Sequence, residues 1–181
     1  MRNVAFMKFV AAVFTVVVIG GVGSGKAQTW DIGDASNEGG VESVTATLID
    51  GTLTVSGVGR MTDFSASVIP PWKDSLWAVD SSIRKVIIDE GVTSIGTGAF
   101  INCIGLNEVT IGNSVARIGD SAFFGCSGLR TINYSATNVT SVDWVSHWLR
   151  DAGTSGEGIN VNIGNNVTRI PDSVVSGKLT I

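Results

Sequence analysis

The sequence predicts a β-rich solenoid, with short strands recurring every 23 residues behind an N-terminal β-hairpin. Three observations carry that expectation. Apolar residues repeat at a fixed 23-residue period from Ile83 onward. Within each period they alternate at the start, as a strand with one buried face does. The 181 residues include 23 glycines, five tryptophans and only three prolines, a turn-rich composition with core-forming capacity rather than that of a disordered tail. The length suits one modest domain.

The N-terminus carries an export signal. Arg2 and Lys8 precede an apolar run from Phe9 to Ile19, and Gly25-Lys26-Ala27 sets small residues at the two positions a signal peptidase reads. The run is too short to span a bilayer as a mature helix, so residues 1–27 are expected to be cleaved. A retained anchor is the weaker reading. Neither cysteine lies near the cleavage region, which argues against a lipoprotein. Cleavage removes three cations and no carboxylate, leaving 9 Lys+Arg against 16 Asp+Glu, a net charge of −7. Such a surface repels nucleic acid and anionic membrane. Gly20 to Lys26 imitates a P-loop, but Ala27 stands where magnesium needs Ser or Thr and no strand precedes it.

Residues 28–82 lack the repeat. Thr45–Ile49 and Thr52–Ser56 flank Asp50-Gly51, which reads as a hairpin with a two-residue turn. That turn sets Leu48 opposite Leu53 and Ala46 opposite Val55, giving one apolar face. Pro70-Pro71-Trp72 and Trp77 add a loop with bulky anchors. The segment is expected to cap the open N-terminal end of the stack.

The repeats occupy 83–181. One unit runs from Ile83 to Gly105 and the next from Leu106 to Gly128. They align Ile83/Leu106/Leu129, Val86/Val109/Ile132, Ile88/Ile111, Val92/Val115, Ile95/Ile118, Gly96/Gly119, Ala99/Ala122, Phe100/Phe123 and Cys103/Cys126. No unit covers its own apolar face, so units must stack to bury a continuous core. The 23-residue period falls within the leucine-rich-repeat range.

Regularity then fails at 135–158. Ser141–Arg150 sets Trp144 and Trp148 four residues apart beside Val145 and Leu149, which predicts a short amphipathic helix stopped by Gly153. The register resumes with Val161, Ile163, Val167 and Ile170. Leu179-Thr180-Ile181 resembles the first strand of a further unit, which leaves a fragment, or a chain whose end a partner covers, as the two readings.

The stretch Ile95–Ile111 reads I-G-x-x-A-F-x-x-C-x-x-L-x-x-V-x-I, and Ile118–Ile132 repeats it with Tyr134 in the final place. On these residues the chain resembles the BspA-like bacterial surface leucine-rich-repeat proteins. Leu53-Thr-Val-Ser-Gly-Val-Gly and Pro70-Pro-Trp72 look like segments that precede such repeats. The resemblance covers 45–134 well and 159–181 loosely, and departs at 135–158. It implies a secreted or surface-attached protein connected to adhesion and to host or matrix protein binding. It implies no catalytic residue, because the motif is a core motif.

Chemical candidates are few. Cys103 and Cys126 hold the same place in successive units, so a disulfide is geometrically allowed, but a pair of small buried thiols is the favoured reading. His147 is the only histidine, and no G-x-S-x-G occurs, so a packing or surface role outweighs a Ser-His-Asp site. One His and two Cys make no zinc site. Asp31 to Glu38 lacks EF-hand spacing; a solvated leader is the plain reading and a weak calcium loop the other. No cofactor is expected.

The binding candidates lie between buried strand residues: Lys85, Ile87 and Asp89, then Glu108 and Thr110, then Thr131 and Asn133, then Asn160 and Asn162. Stacked, they make one exposed ladder of mixed polarity that suits a protein or glycan partner, or else a plain solvated face. Trp144 and Trp148 form a second candidate, an aromatic patch, although their spacing equally suits packing. The leading expectation is an extracellular binding or adhesion module without catalysis. A structural piece of a larger surface repeat protein and a glycan-binding or hydrolytic module using Trp144, His147 and Trp148 are the alternatives.

Overall fold

In the computed structural model the described residues are 27–34, 43–137, 139, 141–142, 148–156 and 158–168. The expected export signal (as far as Lys26), Trp144, His147, Ile170 and Leu179–Ile181 fall outside them. Ten strands are present: β1 (Gln28–Asp31), β2 (Ser43–Ile49), β3 (Thr52–Arg60), β4 (Lys85–Ile88), β5 (Val92–Ile95), β6 (Glu108–Ile111), β7 (Arg117–Ile118), β8 (Thr131–Tyr134), β9 (Ser141–Val142) and β10 (Asn160–Ile163). The described residues contain no helix.

The strands build two walls of a coil. One wall runs β1-β2-β3-β4-β6-β8-β10 and the other β3-β5-β7-β9. Pairing is antiparallel where β1, β2 and β3 meet and parallel elsewhere. The β2–β3 hairpin turns at Asp50 (φ 47°) and Gly51 (φ 78°), the two positive φ values that a type I′ turn requires. Its register places Leu48 opposite Leu53 and Ala46 opposite Val55.

In the long wall Lys85 pairs with Glu108 and Glu108 with Thr131, while in the short wall Ser94 pairs with Arg117. Alternation then sorts the side chains. Val86, Val109, Ile132 and Val161 form one buried row, and Ile88, Ile111 and Tyr134 another. Leu53 and Val55 extend both rows into the hairpin. Along the far side a line of rings follows the coil axis. Trp30 meets Trp72 at 6.1 Å, Trp72 stacks on Phe100 at 5.7 Å, Phe100 on Phe123 at 5.0 Å, and Trp148 meets Phe123 at 5.9 Å. Such ring pairs add stabilisation beyond their buried area.

The short helix expected over Ser141–Arg150 is not what forms at its ends. Ser141 and Val142 are strand β9, opposite Arg117 and Ile118, and Trp148–Arg150 lie in a turn. The physical reason is hydrogen-bond demand from the preceding coil. Phe100 N–H donates to Ala122 C=O and Asn102 N–H to Phe124 C=O; in the next coil Phe123 N–H donates to Trp148 C=O and Gly125 N–H to Arg150 C=O. Trp148 and Arg150 thus stand where Ala122 and Phe124 stood. The described residues of the irregular stretch continue the same stack. The greater length of this stretch shows in the long wall, where Thr131 pairs with Asn160.

Coil-to-coil approach is tight at the corner after β7. A Cβ on Gly119 would lie 2.4 Å from Thr97 N, inside the backbone of the coil beneath.

Candidate binding surface

The outward residues of the long wall stand in register across seven strands. One row runs Thr29, Thr47, Thr54, Ile87, Thr110, Asn133, Asn162, and the row beside it runs Ile49, Thr52, Lys85, Glu108, Thr131, Asn160. Of the ladder positions read from the repeats, all but Asp89 stand in these two rows. Lys85, Glu108, Thr110, Thr131 and Asn133 are half-buried by their neighbours, and Asn160 and Asn162 are exposed.

These side chains hold one another. Lys85 Nζ lies 2.8 Å from Glu108 Oε1, and Asn133 Nδ2 donates to Glu108 Oε1 at 3.1 Å and to Thr110 Oγ1 at 3.3 Å. Asn162 Nδ2 donates to Asn133 Oδ1 at 2.8 Å. Towards the hairpin the network is hydroxyl-based, with Thr29 and Thr47 Oγ1 atoms 3.0 Å apart. The face is polar at both ends, but its amides lie towards β10 and its threonines towards β1. Asp89 stands apart from this network at the end of β4, where its N–H donates to Val55 C=O at 2.9 Å.

The extension of the face onto Thr29, Thr47 and Thr54 had no signal in the repeat, because residues 28–82 do not share its period. The aromatic candidate is corrected. Trp148 is fully buried against Phe123 and offers no surface, and Trp144 lies outside the described residues. The ring that is exposed is Trp77, 60% accessible, with its edge towards Phe124 at 6.3 Å. Arg150 Cζ sits 5.8 Å over the same Phe124 ring. The neighbours of Trp77 in sequence, Leu76 buried and Val79 exposed, follow no period that tells which ring points outward.

Reactive groups are held inert. Cys103 and Cys126 are both buried free thiols, and Cys126 Sγ donates to Phe100 C=O at 3.1 Å. Burial pushes the Cys103 thiol up to about 12 and raises Cys126 as well, so neither is a thiolate near neutral pH. Lys73 donates to Ile101 C=O, and burial lowers its pKa despite the opposing pull of Cys103 and Asp80. Among the described residues no group of three or more His, Cys, Asp or Glu could hold a metal ion. No helix among them is long and apolar enough to cross a membrane.

Residues 74–148 match the family model described as BspA type leucine rich repeat region (6 copies). This stretch is a BspA-type leucine-rich-repeat region. The BspA-type region begins ahead of the first unit at Ile83 and ends on Trp148, so it takes in much of the irregular stretch. Among solved structures, a leucine-rich repeat protein from Eubacterium ventriosum, seen by crystallography at 2.50 Å, is similar at 21% identity and a TM-score of 0.47. The match covers 83% of this chain and 42% of that one, so this chain spans less than half of that protein. No curated protein matches the chain.

Proposed function

We propose that this protein is exported, stays in the extracellular space or at the cell surface, and uses the long wall of its BspA-type region to bind an extracellular protein. It performs no catalysis and needs no cofactor. The observation that carries the reading is the seven-strand register of outward side chains, tied by side-chain bonds at its two ends, Thr29 to Thr47 and Lys85 through Glu108 and Asn133 to Asn162. A face whose rotamers are fixed before contact loses little side-chain entropy on binding. Repeat stacks commonly serve binding through such extended surfaces.

Export rests on Arg2, Lys8 and the apolar run that follows, and on Ala27 just before β1 at Gln28. The net charge of −7 for residues 28–181 favours partners with cationic patches and disfavours nucleic acid and anionic bilayers.

The test is surface plasmon resonance of the purified chain against a panel of extracellular-matrix proteins, with a Glu108→Lys, Thr131→Lys double variant beside it. Glu108→Lys places a second ammonium beside Lys85 and leaves the Asn133 amide without its carboxylate. Both sites are on the surface, so circular dichroism is expected to show an intact fold. Specific binding that the double variant loses supports the reading. Binding that it retains moves the contact off the long wall, and a folded chain that binds no protein removes the adhesion role.

A further inference from the structure

A groove of about 640 Å³ crosses the C-terminal ends of β4, β6, β8 and β10, at the edge of the long wall, with which it shares Ile87 and Thr110. Its floor continues the ladder by one residue. Gly112 N–H donates to Ile88 C=O at 2.9 Å, Ser135 N–H to Ile111 C=O at 3.0 Å, and Gly164 N–H to Tyr134 C=O at 2.9 Å. The turn residues that follow supply the lining, chiefly Glu90, Asn113, Ser135, Thr137, Asn165 and Asn166, with Asp89 at the same end as Glu90.

The chemistry of that lining selects its occupant. Its described residues include two carboxylates and no lysine, arginine or histidine, so an anionic ligand meets repulsion without compensation. The remaining polar groups are amides and hydroxyls, which donate and accept at once. That dual capacity matches a molecule whose own hydroxyls both donate and accept. The floor's N–H groups are already engaged in the ladder, so an extended peptide cannot add to them as a strand. The groove spans three strand intervals, or roughly 14 Å at ~4.8 Å each, longer than a single sugar.

One wall residue is also set in advance. Gly91 N–H donates to Ser114 Oγ at 3.1 Å, Ser114 Oγ donates to Asn113 Oδ1 at 3.0 Å, and Asn113 Nδ2 donates to Glu90 Oε1 at 3.2 Å. The chain fixes the Asn113 amide plane and leaves one N–H and one lone pair for a ligand. We propose that this groove binds a neutral oligosaccharide of a few units, with Asn113 as the central hydrogen-bonding residue. The site lies apart from Glu108 and Thr131 on the protein-binding face proposed above, although Ile87 and Thr110 border both.

Calorimetric titration with cellotetraose, maltotetraose and chitotetraose, beside a sulfated heparin tetrasaccharide, tests it on the full chain. A neutral tetrasaccharide is expected to bind more tightly than about 1 mM, with Asn113→Ala weakening it about tenfold. The sulfated fragment is expected not to bind. Tryptophan fluorescence is expected to stay unchanged, since no tryptophan among the described residues lines the groove. Ser135→Tyr should fill the groove and abolish binding; where that variant fails to fold, Asn166→Ala replaces it. The Glu108→Lys, Thr131→Lys double variant should keep sugar affinity, which separates this site from the long wall. No neutral tetrasaccharide binding tighter than about 1 mM, binding unchanged in the groove variants, or preference for the sulfated fragment would each overturn the proposal.

Discussion

Replacing Gly119 with alanine isolates the cost of coil-to-coil contact. Gly119 does not sit in the left-handed region, so alanine meets no backbone strain there. The new Cβ would stand 2.4 Å from Thr97 N, 2.7 Å from Thr97 Cα and 2.8 Å from Gly96 C, all backbone of the neighbouring coil. Comfortable contact needs about 3.5 Å, so the coils must part by about 1 Å. That movement breaks or stretches the Gly119 N–H bond to Ile95 C=O, now 2.9 Å. A lost buried hydrogen bond costs about 1–3 kcal/mol and overpacking about as much again, which together give roughly 2–6 kcal/mol. For a chain of this size the melting temperature should fall by roughly 4–24 °C, read by circular dichroism. Gly164→Ala is the matched control. Its Cβ would meet only Ser135 side-chain and Cα atoms at 3.2–3.5 Å, so the change should stay within about 1 kcal/mol. A Gly119→Ala melt within about 2 °C of the parent, or an equal drop in Gly164→Ala, would refute the reasoning.

Phe123→Ala removes the central ring between Phe100 and Trp148 and should cost about 3–5 kcal/mol in urea denaturation, with Phe123→Leu losing clearly less. Tyr134 is buried and its hydroxyl has no hydrogen-bond partner among the described residues, so Tyr134→Phe should raise stability by about 1 kcal/mol in the same assay. Stability should also fall in alkali. Burial raises the folded-state pKa of Cys103 from 9.0 to about 12 and that of Cys126 in the same direction. Their contribution is intact below pH 9.0 and is lost as pH climbs towards 12, at about 1.4 kcal/mol per thiol per pH unit. The lowered pKa of Lys73 acts with the opposite sign, adding stability as pH rises to 10.5, whereas burial of the Tyr134 phenol, raised from 10.0 to about 12, acts with the thiols. Urea midpoints at pH 8 and pH 10.5 should therefore diverge less in Cys103→Ala than in the parent; equal divergence would count against it.

Strand pairing was legible in the sequence because alternation fixes which residues point inward and the period fixes the partner. Val86, Val109 and Ile132 could be placed in one row from spacing alone, and they are buried together. The Asp50-Gly51 turn did the same for Leu48 and Leu53. Trp148 was harder for a physical reason. Four-residue spacing to Trp144 imitates a helix face, and nothing local reveals that Phe123 and Gly125 N–H groups need carbonyls from that stretch. Of the candidate site, the rows from Lys85 to Asn162 were readable, since strand positions repeat. The groove was not, because it is lined from turns whose residues differ in each coil, Glu90, Asn113, Thr137 and Asn166 among them.

Among the described residues β3 is the only strand with partners in both walls: Thr52–Val55 pair with β4, and Gly59–Arg60 with β5. After it, each coil gives one strand to each wall and joins them by a turn. A duplication or deletion of one whole coil downstream of β3 therefore reconnects both walls at equivalent positions, and every ladder closes again. A length change inside Thr52–Arg60 would throw both walls out of register at once. The architecture can thus be copied in one direction only, away from the hairpin. Gene-level gain and loss of coils can alter the reach of this surface while the hairpin end stays as it is.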